Sequence, residues 1–109
     1  MSKILAIMPH SIGGRLTTSS IIDGFKLNGF EIDIFDELKE EDFSPFLKQN
    51  YEYITGYDFS PVKLKIDNNL KTPCIAYFSD VITSKTSGVG YREYFKYLKN
   101  PDIFVFLWD

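Results

Sequence analysis

Short apolar runs alternate along this chain with segments in which apolar residues return every three or four positions. The runs are Lys3–Met8, Phe30–Phe35, Tyr51–Thr55, Cys74–Phe78 and Ile103–Trp108, and each is the length of a strand. Phe30, Ile32 and Ile34 alternate with Glu31 and Asp33, which predicts a strand near a sheet edge. The fourth and fifth runs are nearly all apolar and are expected to be central, covered on both faces. Between the runs, Arg15–Asn28 places Leu16, Ile21, Ile22 and Phe25 on one helical face, with Gly29 as its stop. Ser20-Ile21-Ile22-Asp23 fits a capping box, so this helix is expected to start late, toward Ser20. Glu37–Gln49 is a weaker segment in which Ser44-Pro45 suggests a helix start, and Ser60-Pro61 opens another helix running to Leu70. A last helix, Tyr91–Lys99, follows a polar loop, Ser79–Gly90.

Strands alternating with helices are the pattern of βαβ units. The chain is therefore expected to be α/β: a Rossmann-like or flavodoxin-like three-layer domain on a five-stranded parallel sheet of order 3-2-1-4-5. At 109 residues it is one domain, with enough chain to bury a core. The closing run Ile103–Trp108 reaches Asp109 with no helix after it to cover the sheet. That points to a fragment of a longer two-domain protein; the alternative is a small protein that closes on an intermolecular contact, a possible homodimer.

Composition narrows the function classes. Net charge of −3 argues against nucleic acid as the main partner. The single cysteine, Cys74, leaves no internal disulfide and no multi-cysteine metal site, and its strand-like setting suggests a buried free thiol. No apolar run reaches the ~18 residues of a transmembrane segment. With no secretory cleavage pattern after Met1, a cytoplasmic location is expected. Aromatic residues make up 17% of the chain, a high share, so some rings are expected in the core and others facing a ligand or a missing partner domain.

Candidate chemistry gathers where strands end, because open α/β sheets bind ligands at the carboxyl edge near the point where strand order reverses. Met8-Pro9-His10-Ser11-Ile12-Gly13-Gly14-Arg15 is the first such end. Gly13 and Gly14 serve either a turn of positive φ or close backbone approach to a phosphate or sugar. His10 is the one histidine, a candidate proton carrier near neutral pH or a plain surface residue. Asp80, after Ser79 at the end of the fourth run, can accept sugar hydroxyls, act as a base or simply close a loop. With order 3-2-1-4-5, His10, the glycine pair and Asp80 are expected to converge between strands one and four. Arg15 is a candidate positive charge for an anionic ligand, with a solvated surface role as its alternative. Gly56-Tyr57-Asp58 and Ser79-Asp80 form further strand ends, which adds Tyr57 and Ser79 to the candidate binding residues.

Two stretches carry a family resemblance. The opening Lys3-Ile4-Leu5-Ala6-Ile7, Gly13-Gly14, Gly24-Phe25 and Asn28-Gly29-Phe30-Glu31-Ile32 resembles the start of GT-B glycosyltransferases. Thr72-Pro73-Cys74-Ile75-Ala76-Tyr77-Phe78-Ser79-Asp80 and Asp102 to Asp109 resemble the N-terminal domain of the CgeB-like (spore maturation protein) group. The resemblance implies the acceptor-side half of an enzyme that moves a sugar from a nucleotide-sugar donor, with no cofactor and with the donor held mainly by a missing C-terminal domain. It places Gly13 and Gly14 near the donor phosphates and His10 and Asp80 near the acceptor, and the half alone would be inactive. Two other readings remain: a non-enzymatic ligand- or protein-binding module, and a flavodoxin-like flavin binder, for which Thr17-Thr18-Ser19-Ser20 sits late.

Overall fold

The computed structural model describes residues 2–39, 42–78 and 92–107. Five strands, β1 (Lys3–Met8), β2 (Glu31–Asp36), β3 (Tyr53–Tyr57), β4 (Cys74–Phe78) and β5 (Ile103–Leu107), form one parallel sheet. Three α-helices, α1 (Ile12–Leu27), α2 (Ser44–Leu47) and α3 (Ser60–Asp67), and a 3-10 helix, Arg92–Lys99, connect them. The α/β class, the parallel sheet and the edge position of β2 are as expected.

The strand order is β2-β1-β3-β4-β5, so β3 lies between β1 and β4 rather than outside β2 as the order 3-2-1-4-5 had it. Burial explains the place. Ile54, Thr55 and Gly56 are uncharged, and all three are buried, which suits a strand covered on both faces. The acidic alternation of β2 suits an edge. Chain direction reverses at β1, and right-handed crossovers then put α1 on one face of the sheet and the following helices on the other.

Two core clusters lie under α2, α3 and the 3-10 helix. Leu5, Ile7, Phe35 and Ile54 pack with Phe43, Phe46 and Leu64. Phe59 and Val62 of this layer pack on Cys74, Ala76, Phe78 and Ile103, joined by Tyr97 and Leu98. Cys74 is a buried free thiol, and burial pushes its pKa up to about 12. Lys65 is buried as well. Its ammonium donates to the carbonyls of Leu70 and Thr72 at 2.8 and 2.7 Å, closing the chain after α3. On the opposite face a smaller cluster, Ala6, Met8 and Ile22 with Ile32, lies beneath α1.

Two further expectations give way. β5 is an edge among the described strands, and Phe104 and Phe106 are about half exposed on it, so β5 is not covered on both faces. Helix α1 starts at Ile12, well before Ser20, because Ser11 caps it: its Oγ accepts from the Gly14 N–H at 3.1 Å. Gly13 and Gly14 are helical residues of the first turn. The positive-φ glycine among the described residues is Gly29, at +89°, where α1 stops as the sequence suggested.

Candidate functional site

The reversal of strand order lies between β1 and β3, and β3 separates β1 from β4. The carboxyl ends of β1 and β3 therefore frame the crevice in which open α/β sheets hold ligands. Only Pro9, His10 and Ser11 separate β1 from α1, so the helix N-terminus sits directly over the strand ends. The amides of Ile12 and Gly13 precede any intrahelical acceptor, while the next two are taken by the cap: Gly14 by Ser11 Oγ and Arg15 by the Ser11 carbonyl at 2.9 Å.

The two glycines differ. A Cβ at Gly13 would meet nothing within 4 Å, so the side-chain position there is open. A Cβ at Gly14 would lie 2.6 Å from Ser11 Oγ, 2.9 Å from Pro9 Cγ and 3.1 Å from Tyr57 Cδ2. Gly14 is there for close packing: it lets the first turn of α1 rest on the Pro9 ring and on Tyr57 at the end of β3.

Arg15 does not face an open anion site. Its guanidinium forks onto Asp36 at the end of β2, with N–H donors 2.8 and 2.7 Å from the two carboxylate oxygens, and it also donates to the Pro9 carbonyl at 3.1 Å. Hydrogen bonding from Arg15 holds the Asp36 carboxyl down to about 2, with the Leu38 N–H adding a further donor at 2.9 Å. This pair ties the turn after β1 to the end of β2. It was missed because the two residues are far apart in sequence, and only the β1–β2 register brings them together.

No family model, curated protein or solved structure matches the chain.

Beside that clamp, His10 Nδ1 lies 3.3 Å from Glu37 Oε2. Glu37 is itself placed by its backbone N–H, which donates to the Met8 carbonyl at 3.0 Å. The imidazole is 65% exposed, so the contact with Glu37 orients a ring that solvent and ligands can reach. The carboxylate beside Nδ1 favours a proton on that nitrogen, which would leave Nε2 to act as a general base. Glu37 also lines a cleft of ≈ 220 Å³ beside α3, together with Phe43, Ser60 and Lys63. In the sequence Glu37 stands out only as the first residue of the weaker segment Glu37–Gln49.

Across the crevice, Tyr57 is half-buried against Gly14, and Asp58 adopts φ +59°, the left-handed region that a non-glycine residue enters at a cost. The Asp58 N–H donates to the Tyr77 carbonyl at 2.8 Å, which pins this turn to β4. The structure thus gathers His10, Gly13, Gly14, Arg15 and Tyr57 around one strand-end crest, with Arg15 in a structural pair. Ser79 and Asp80, the other two candidates, lie outside the described residues, as does the rest of the loop 79–90. No helix among the described residues is long and apolar enough to cross a membrane.

Proposed function

We propose that this chain is the acceptor-side half of a GT-B-type glycosyltransferase, with its acceptor held on the crest formed by the ends of β1 and β3. The His10–Glu37 pair carries the reading: a carboxylate-oriented imidazole, open to a ligand, next to the N-terminus of α1. In the transfer step, His10 Nε2 takes the proton of an acceptor hydroxyl. The acceptor oxygen forms a bond to the anomeric carbon of the donor sugar as the bond to the nucleotide diphosphate breaks. Negative charge on the departing diphosphate favours the free amides of Ile12 and Gly13, since Arg15 is already paired with Asp36. Ser79 and Asp80, which follow β4 in the sequence, are assigned to acceptor contact in this reading. A cytoplasmic location goes with it, the lone thiol Cys74 calling for no oxidising compartment.

One observation favours a second reading. The order β2-β1-β3-β4-β5 is the doubly wound order in which flavin mononucleotide binds at the β1/β3 switch point. Titration of the isotope-labelled domain separates the two. Millimolar methyl glycosides and uridine diphosphate are expected to shift the amides of Ser11, Ile12 and Gly13 and the His10 ring, while flavin mononucleotide leaves them in place. Silent amides with every sugar and nucleotide would refute the transferase reading, and a tight yellow complex would replace it with the flavin one.

A further inference from the structure

The two edges of the sheet are built differently. β2 carries Glu31, Asp33 and Asp36, acidic residues that discourage pairing with another strand. β5, Ile103-Phe104-Val105-Phe106-Leu107, has no charge, no proline and no glycine. Among the described residues, no helix covers the α1-side face of the sheet at this end. Phe104 and Phe106 stand 48% and 50% exposed, and the Phe106 ring stacks on Tyr77 with centroids 5.3 Å apart. Tyr77 in turn forms a wall of an apolar groove of ≈ 480 Å³ against Ile21, Gly24 and Phe25. Natural sheets rarely leave such an edge unguarded.

The hydrogen-bond pattern says how the edge is disposed. Cys74 N–H donates to the Asp102 carbonyl at 2.8 Å. Parallel alternation then turns the amides of Phe104 and Phe106 toward β4 and leaves the N–H and C=O of Val105 pointing away from the sheet. We propose that β5 pairs antiparallel with β5 of a second copy of this chain, about a two-fold axis at Val105. Of the registers that this parity allows, only the one centred on Val105 overlaps all five residues of the strand. In it the two Val105 residues exchange both backbone bonds, and Phe104 of each copy lies opposite Phe106 of the other. Those are the closely spaced non-hydrogen-bonded positions, where cross-strand aromatic pairs form best.

Area is consistent with this. The two half-exposed phenylalanines offer on the order of 200 Å² per copy, about a quarter of the ~800 Å² per partner of a stable interface. The strand backbone, Tyr77 and the flank of α1 around Ile21 supply further surface. The contact is isologous and closes with two copies, because the acidic β2 edges left outside do not propagate it.

Light scattering of the 109-residue chain at tens of micromolar is expected to give twice the chain mass. The double variant F104K/F106K, with helical and strand signal retained, is expected to run as a monomer. A second experiment needs no loss of apolar surface on both residues. Under mild oxidation, F104C mixed with F106C is expected to form a disulfide-linked dimer several-fold faster than either variant alone. A monomeric wild type would overturn the proposal and leave the face to a further segment or another protein. A species larger than a dimer, a dimeric double lysine variant, or equal cross-linking of the single variants would overturn it as well.

Discussion

Adjacent glycines in the first turn of α1 should respond in opposite directions to the same added methyl. Gly13 has open space around its would-be Cβ and no positive φ, so Gly13→Ala only removes backbone freedom from the unfolded chain. The expected effect is stabilisation by about 0.5–1 kcal/mol. Gly14→Ala gains a similar propensity term but drives a methyl to 2.6 Å from Ser11 Oγ and 2.9 Å from the Pro9 ring. The ring cannot turn aside. Ser11 can, but only by giving up its bond to the Gly14 N–H, the cap of the helix. Overpacking costs about 1–3 kcal/mol, and loss of a cap about 1 kcal/mol. The sum after the propensity gain is a net loss of about 1–3 kcal/mol for Gly14→Ala. Urea unfolding followed by far-ultraviolet circular dichroism, at one protein concentration, measures both variants against the wild type. A Gly14→Ala protein as stable as Gly13→Ala would refute the packing argument, and with it the placement of α1 against Pro9 and Tyr57.

Thr18 is fully buried on the inner face of α1, and its hydroxyl has no hydrogen-bond partner among the described residues, so Thr18→Val is expected to raise stability by about 1 kcal/mol, read from the same urea curves. The Lys65 ammonium satisfies two backbone carbonyls from a buried position; Lys65→Met leaves both unpaired and should cost about 2–4 kcal/mol, and a neutral result would show that water replaces it. Asp36 has its pKa lowered to about 2 by Arg15, so the stability it contributes is fully present above the ordinary carboxylate value near 4 and fades as pH falls from there toward 2. Acid titration of Asp36→Asn should lack this limb of the stability curve; an unchanged acid limb would assign it to other carboxylates.

Periodicity alone was enough for the elements. Apolar runs separated by amphipathic segments marked all five strands, two of them, β1 and β4, to the residue, and the acidic alternation of β2 identified an edge. The start of α1 was misplaced because Ser20-Ile21-Ile22-Asp23 fits a capping box and the two glycines read as a turn ahead of the helix. Their low helix propensity is offset by the Ser11 cap and by the packing of Gly14 on Pro9 and Tyr57, contacts that involve a residue more than forty positions away. The candidate site was legible as a set of strand ends, yet not as a set of partners. His10 was visible as the one histidine and Arg15 as a cation. That His10 meets Glu37, and that Arg15 is taken by Asp36, depends on β2 lying beside β1.

Local pattern, then, determined the α/β class, the strands, the buried Cys74 and the glycine stop at Gly29, because each depends on the alternation of nearby residues with backbone conformation. Strand order was decided only in three dimensions. Every parallel arrangement of these five strands offers the same local hydrogen bonds, and what selects β3 for the middle is the burial of Ile54, Thr55 and Gly56 between helices on both faces. That choice moved the switch point to β1 and β3 and made β2 a sheet edge, while the pairing of Arg15 with Asp36 follows from β2 lying beside β1.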